Sequence, residues 1–180
     1  MLETERLRLR NWRSSDREPF ARLNADPRVM EFFPKCLTRE DSDAMVDRIE
    51  EHFRSKGFGL YAAELRSDGR FVGYVGLHTP AFEAHFTPCV EIGWRLANDV
   101  WGQGIATEGA RAVVRHAFED LALDEIVSFT VPANQRSIRV MKKLGMTNDS
   151  ADDFEHPNLA FGHPLRRHVL YRLKCYSAGR

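Results

Sequence analysis

The residues from Val90 to Gly109, VEIGWRLANDVWGQGIATEG, carry the chemistry this sequence advertises most openly. Apolar/polar alternation over Val90–Leu96 predicts a strand, and Asn98-Asp99 breaks it. The glycine-bracketed turn Trp101-Gly102-Gln103-Gly104 then opens directly into helical periodicity. A chain that enters a helix this way turns several unpaired N–H groups on one point, backed by the positive end of the helix dipole. Such a point suits phosphate or pyrophosphate. Gly93, inside the strand, leaves the backbone open to close approach. The segment reads as the site of a long, phosphate-bearing cofactor.

Other glycine motifs fit less well. Gly102-Gln103-Gly104-Ile105-Ala106-Thr107 approaches a dinucleotide fingerprint, but a Rossmann unit sets its glycines after a first parallel strand, with an acidic residue about 20 positions on. Here antiparallel strands come first. No Gly-Lys-Ser/Thr follows, so the phosphate-loop motif fails as well. Taken alone, the turn could equally be a tight bend whose glycines only satisfy backbone geometry.

The elements around it follow from periodicity and punctuation. Arg6–Trp12 alternates as an opening strand, and Asp16–Asn24 is a short helix broken by Asp26-Pro27. The connector from Val29 to Phe33 is apolar enough to require a packing partner. Thr38 caps a helix that Gly57 ends. Phe58–Leu65 and Phe71–Leu77 form an antiparallel hairpin about Asp68-Gly69. Then come a strand at Cys89–Leu96, a helix at Gly104–Asp120, a strand at Glu125–Val131, and a helix from Asn134 to Leu144 closed by Gly145. A strand near Met146, an irregular stretch and a strand over His168–Lys174 complete the chain. The expected fold is α/β of the α+β type. It is one domain over residues 1–180, with a mixed, mostly antiparallel sheet of about seven strands and helices on both faces.

Composition bounds the function. The chain has 180 residues, 43% hydrophobic and 29% charged, enough to bury a core and unlike a disordered segment. Lys+Arg and Asp+Glu stand at 26 each, so no nucleic acid or anionic membrane is called for as a partner. Cys36, Cys89 and Cys175 spell neither a metal pair nor a disulfide framework, which points to a reducing, cytoplasmic setting. The opening MLETERLRLR lacks a signal-peptide core, and no run approaches the ~20 apolar residues of a membrane span. His156, His163 and His168 lack the spacing of a metal site, and none is expected.

The strand, the W-G-x-G-x-A-T-E turn, Asn134-x-x-Ser137 and Lys143-Leu144-Gly145-Met146 together resemble the GNAT superfamily of N-acetyltransferases. Glu3–Arg10, Asp26-Pro27-x-Val29 and Phe33-Pro34 resemble the branch that acetylates ribosomal-protein N-termini. The resemblance runs over nearly the whole chain. It implies acetyl-CoA as co-substrate, with its pyrophosphate on the backbone of Gly102, Gln103, Gly104, Ile105, Ala106 and Thr107. Trp101 stands where relatives often have Gln or Arg, which argues for packing there. The pantetheine would lie along Glu91–Leu96, where that strand splays from the one at Ile126–Val131, with main-chain groups from Ile92, Gly93, Trp94 and Arg95, one of whose N–H groups can stabilise an oxyanion. Asn134 would bond the pantetheine, cap its helix, or both.

The same resemblance assigns the reaction as attack by a neutral primary amine on the thioester in a ternary complex. The amine belongs to a small molecule or a peptide N-terminus. Ser137 is the candidate proton donor to the departing thiolate; many relatives have Tyr where this chain has Met141, and Ser137 and Met141 can face one spot. Glu91 is the candidate base, with a structural salt bridge as the alternative, and Glu108 reads as structural. His78, Glu83 and His85 could line the acceptor side, between the Thr38–Lys56 helix, the Val29–Phe33 loop, Phe82 and Phe154. Arg136, Arg139, Lys142 and Lys143 offer a solvated face or a contact to the 3′-phosphate; Asp149, Asp152, Asp153 and Glu155 read as a soluble loop. A non-catalytic acyl-CoA sensor and transfer of another acyl group such as succinyl remain alternatives. Homodimers are common in the family.

Overall fold

A computed structural model describes residues 1–175; the last five residues of the expected 1–180 domain lie outside the described residues. The chain order is β1 (Leu2–Glu3), β2 (Leu7–Arg10), α1 (Arg17–Ala25), α2 (Arg39–Lys56), β3 (Leu60–Leu65), β4 (Phe71–His78), β5 (Glu91–Leu96), α3 (Ile105–Arg115), β6 (Glu125–Thr130), α4 (Gln135–Lys143), β7 (Thr147–Asn148), β8 (Phe154–Glu155) and β9 (Arg167–Lys174). The nine strands form one sheet in the order β1-β2-β3-β4-β5-β6-β9-β7, with β8 beside β9. Two strands more than expected appear, β1 and β8, each two residues long and too short to leave an alternation in the sequence.

Local signals act as their chemistry dictates. Thr38 Oγ1 accepts from the Asp41 N–H at 3.1 Å, and Gly57, at φ 78°, ends α2. Asp68 Oδ1 accepts from Arg70 N–H at 3.0 Å, closing the β3–β4 turn. α3 is shorter than expected because its last turn loosens into a π-helical turn over His116–Asp120. α3 still buries Ala110 and Val113 against the sheet, and the π-helical turn adds Ala117. α3 and α4 cover the face carrying Val75, Leu77 and Ile92, while α1 and α2 cover the opposite face at Leu60, Ala62 and Tyr74. Helices on both faces is what the sequence predicts.

One pairing sets up everything that follows. β5 and β6 are joined through α3 and therefore run parallel, but they pair only at Glu91↔Val127, where Val127 N–H donates to Val90 O at 2.9 Å. Beyond that bridge they diverge. β5 keeps its full ladder on the other side, from Gly73↔Leu96 to His78↔Glu91, and β6 keeps its own with β9. The sheet is held on both flanks and open in the middle.

Candidate active site

The Gly102–Thr107 turn lies at the wide end of that opening. Gly102 and Gly104 take φ of 75° and 82°, the left-handed region that a side chain would strain. The first N–H here to reach a backbone acceptor is that of Glu108, on Gly104 O at 3.0 Å. Among the described residues nothing accepts from the N–H groups of Gly102, Gln103, Gly104, Ile105, Ala106 or Thr107. Six donors at the start of an eleven-residue helix can hold a diphosphate without a charged side chain. The turn is braced from behind. Arg6 donates from Nη1 to Gln103 O at 2.8 Å and from Nε to Glu108 at 2.6 Å. The Gln103 side chain folds back to Asp99 O at 2.8 Å, and the Trp101 indole donates to Leu96 O at 2.9 Å. Trp101 is thus a packing residue, with the Arg136 guanidinium 4.4 Å above its ring. Burial raises the pKa of Glu108, but hydrogen bonds from Thr4 and Arg6 outweigh it and hold the group below its ordinary value. Glu108 is structural, as its place in the first helical turn suggests.

Along β5 the alternation of the ladder divides the predicted backbone contacts. Ala97 N–H donates to Val72 O at 2.9 Å, towards β4, so the main-chain groups of Gly93 and Arg95 point the same way. Those of Ile92 and Trp94 turn towards β6, but Ile92 is fully buried beside the Glu91↔Val127 bridge, and only at Trp94 has β6 moved off. Trp94 therefore presents main chain to an added strand-like ligand, whereas Gly93 and Arg95 are committed to β4 and Ile92, predicted as a contact, is closed off by the bridge. Gly93 has another use: a Cβ built on it would meet only Glu91 Oε1, at 4.0 Å, so it leaves the cleft floor open.

The cleft runs from the turn across that floor to the helices of the other face, with a volume of about 870 Å³. Glu91 is buried in its wall, with Oε2 3.2 Å from His78 Nε2. Burial pushes the Glu91 carboxyl well above its ordinary range; burial, with His52 nearby, pulls His78 down to about 4. Burial opposes charge on both members of this contact. His52 behind them is fixed, its Nδ1 on Phe58 O (2.8 Å) and its Nε2 accepting from Thr79 N–H (3.1 Å).

Asn134 and Ser137 line the facing wall. Asn134 is the N-cap of α4: Oδ1 accepts from Ser137 N–H at 3.2 Å, and Nδ2 donates to Thr130 Oγ1 at 3.0 Å. The Ser137 hydroxyl has no hydrogen-bond partner among the described residues, which leaves it free to donate into the cleft. Met141, expected at the same spot, is fully buried in the core beneath α4 instead. Arg136, Arg139 and Lys143 reach the cleft rim; Lys142 faces away.

On the acceptor side Val29, Phe32, Phe33, Met45, His52, His78 and Phe82 line the cleft as expected. Phe154 does not: it lies behind Phe82, ring to ring at 6.1 Å. His85 and Glu83 are also absent from the lining, His85 facing Asp152 at 3.4 Å. The acidic stretch is absorbed locally, with Asp152 on Arg172 and Glu155 on Arg166. Sequence reading missed Arg6 and the Arg95 side chain. Glu91, Gly93 and Arg95 alternate onto one face of β5, and that inward placement of two ionisable residues was the available signal.

A family model described as an acetyltransferase (GNAT) domain matches residues 6–147. The chain belongs to the GNAT acetyltransferase family. It is therefore an enzyme, an acyltransferase of a family that uses acetyl-CoA and transfers acyl groups to amines. The acetyltransferase is 34% identical over 154 residues to an FsC-acetyl coenzyme A-N(2)-transacetylase from Aspergillus fumigatus, covering 82% of this chain and 65% of that protein. A GNAT-family acetyltransferase from Bacillus anthracis superposes with a TM-score of 0.78 at 25% identity, over 96% of this chain and 97% of that one. A ribosomal L7/L12 α-N-protein acetyltransferase in complex with coenzyme A shares the fold at a TM-score of 0.75 and 17% identity, over 95% of each chain. Among the described residues no helix is long and apolar enough to cross a membrane, and no three metal-ligating side chains come together.

Proposed function

We propose that this chain is an acetyl-CoA-dependent N-acetyltransferase that passes the acetyl group directly to a primary amine in a ternary complex. The observation that carries the reading is the continuity of one cleft from six unpaired backbone donors, past an open strand edge, to a buried carboxyl and a free hydroxyl. Acetyl-CoA fits the donors present: its pyrophosphate suits the amides of Gly102–Thr107, and its pantetheine suits the main chain at Trp94, which lines the cleft. Arg136, Arg139 and Lys143 stand where a 3′-phosphate would gain a cation. Glu91 takes the proton from the incoming ammonium, directly or through water. Its raised pKa suits that task, since a base is most effective when its pKa lies near the working pH. Ser137 donates towards the departing sulfur, and the walls hold the two reactants together, which supplies much of the acceleration.

Calorimetric titration with acetyl-CoA, with NAD as the control, tests the reading first. Binding of acetyl-CoA alone supports it; a folded protein that binds neither ligand overturns it. Thiol release across an amine panel then separates Ser137: Ser137→Ala should lower kcat about 10-fold and leave KM for acetyl-CoA unchanged. Unchanged kcat would mean that the thiolate leaves unassisted.

A further inference from the structure

Two arginines are buried among the described residues, and their surroundings differ in kind. Arg10 is met by Asp16 at 2.6 Å and Glu64 at 2.7 Å. Arg95, 8% exposed, has no carboxylate within ion-pair distance. Its Nη1 donates to Asn24 Oδ1 at 2.7 Å, its Nε is buried without a partner, and its Nη2 makes no hydrogen bond among the described residues. The ring of Phe33 lies 4.1 Å and that of Tyr74 5.5 Å from the guanidinium carbon. These faces and one amide soften the loss of water without neutralising the charge. The posture is enforced: Asn24 is fully buried and tied through Nδ2 to Ser42 Oγ at 2.9 Å, so α1 and α2 jointly aim the guanidinium at the cleft.

A buried cation left unpaired in a cleft wall calls for an anion from outside, and the unpaired Nη2 of the guanidinium can donate a charge-assisted hydrogen bond to a carboxylate oxygen. Glu91 lies on the same face of β5, with side-chain-free Gly93 between. The Cα atoms of Glu91 and Arg95 are roughly 13 Å apart along the strand, and both side chains reach over the gap. Among the described residues Glu91 has no Lys or Arg partner, only the His78 ring at 3.2 Å. The wall therefore carries complementary ends for one molecule, an ammonium at Glu91 and a carboxylate at Arg95. We infer that the acceptor amine carries a carboxylate, and that Arg95 holds it; this rests on the acetyltransferase reading above. The aromatic walls of Phe33 and Tyr74 favour an apolar spacer between the two groups.

The test uses matched pairs: ω-amino acids of three to six carbons, and short peptides with an acidic side chain near the N-terminus, each against its carboxamide. In the wild-type enzyme kcat/KM should favour the carboxylate member by about 10–100-fold, the range of a charge-assisted pair. The better series tells a free amino acid from a peptide. Arg95→Gln should bring that ratio near one and leave KM for acetyl-CoA unchanged. A wild-type ratio near one, or a ratio that survives in folded Arg95→Gln, overturns the assignment. A second readout does not need turnover: thermal stabilisation of the protein by the same carboxylates, absent with the carboxamides and lost in Arg95→Gln. If acetyl-CoA fails to bind, the transferase reading falls, while this stabilisation still decides for or against an anion site at Arg95.

Discussion

Around Gly102–Thr107 the cleft presents backbone N–H groups from consecutive residues, whereas across its floor, at Glu91, His78 and Arg95, it presents side chains that meet groups from α1 and α2. Both regions prepare for charge, and they do so differently. The turn has donors and no fixed charge of its own; Arg6 braces it from outside by ion-pairing with Glu108 at 2.6 Å. The floor has ionisable groups with buried atoms that meet no partner among the described residues, Nδ1 of His78 and Nε of Arg95. A backbone cradle depends on local conformation, which a few adjacent glycines specify. A side-chain wall depends on which distant elements meet, and there the residue types can change without disturbing the fold.

The comparison is broken most severely by placing charge on the cradle. Gly104→Glu would do so, but at φ 82° it also strains the backbone. Ala106 lines the cleft as the second residue of α3, with ordinary helical backbone, so Ala106→Glu isolates the electrostatic effect. Calorimetry should show acetyl-CoA binding lost while circular dichroism and Tm stay near wild type. Retained binding in a folded variant would mean that the unpaired amides are architecture only.

The division between the regions is also a division in what the sequence made legible. Gly102, Gly104 and the Thr38 cap act within a few residues, so spacing alone predicted the turn, the helix start and the unpaired donors. The hairpin and the β5 alternation were legible for the same reason. Parting of β5 from β6 was legible only through the family resemblance, because no residue of either strand marks where their pairing stops after Glu91↔Val127. The two-residue strands β1 and β8 are fixed by their partners. Arg95 was predicted for its main chain, yet the ladder with Tyr74 commits that main chain to β4 and leaves the side chain to act. Phe154 was expected beside Phe82 in an aromatic-lined acceptor slot; packing of Phe82 over it decides otherwise.

Next in size is Glu91→Gln, expected to lower kcat by about 10²–10⁴-fold if the carboxylate is the base. In the wild type the rate should rise with pH as Glu91 ionises at its raised value. The residual rate of the variant should climb at high pH, where the acceptor loses its proton in solution. Equal loss at every pH would assign Glu91 to structure. Stability runs the other way. A carboxyl whose pKa is raised on folding contributes stability that is complete below its unfolded value and is lost as pH rises through the folded one. His78, lowered from 6.5 to about 4, contributes stability that is complete above 6.5 and lost as pH falls towards about 4. Tm measured against pH should therefore flatten on the alkaline side in Glu91→Gln and on the acid side in His78→Gln.

Gly93→Ala sharpens the contrast between open floor and packed scaffold. The added Cβ meets nothing nearer than Glu91 Oε1 at 4.0 Å, so stability should move by no more than about 0.5 kcal/mol. Turnover should still fall, by up to about 10²-fold if a reactant is displaced by the methyl group. Gly76→Ala is the control from the neighbouring strand: its Cβ would sit 2.2 Å from Gly59 O, so it should lose Tm first. Full activity in Gly93→Ala would mean that no ligand approaches this part of β5.

The smallest effect probes the residue that belongs to both regions. Asn134 caps α4 through Oδ1, and the resemblance gives its amide a contact to pantetheine as well. Asn134→Ala removes both and should lower stability by about 1 kcal/mol, the usual worth of a cap, so a change in KM there would be ambiguous. Asn134→Asp separates them. The carboxylate still accepts from Ser137 N–H at a helix N-terminus, where negative charge is favoured, so Tm should hold. The variant no longer carries the Nδ2 donor, which now bonds Thr130 Oγ1 at 3.0 Å. If that amide also serves the cofactor, KM for acetyl-CoA should rise several-fold in Asn134→Asp at unchanged Tm. If KM stays put, Asn134 is a cap alone, and recognition of the arm rests on the main chain at Trp94.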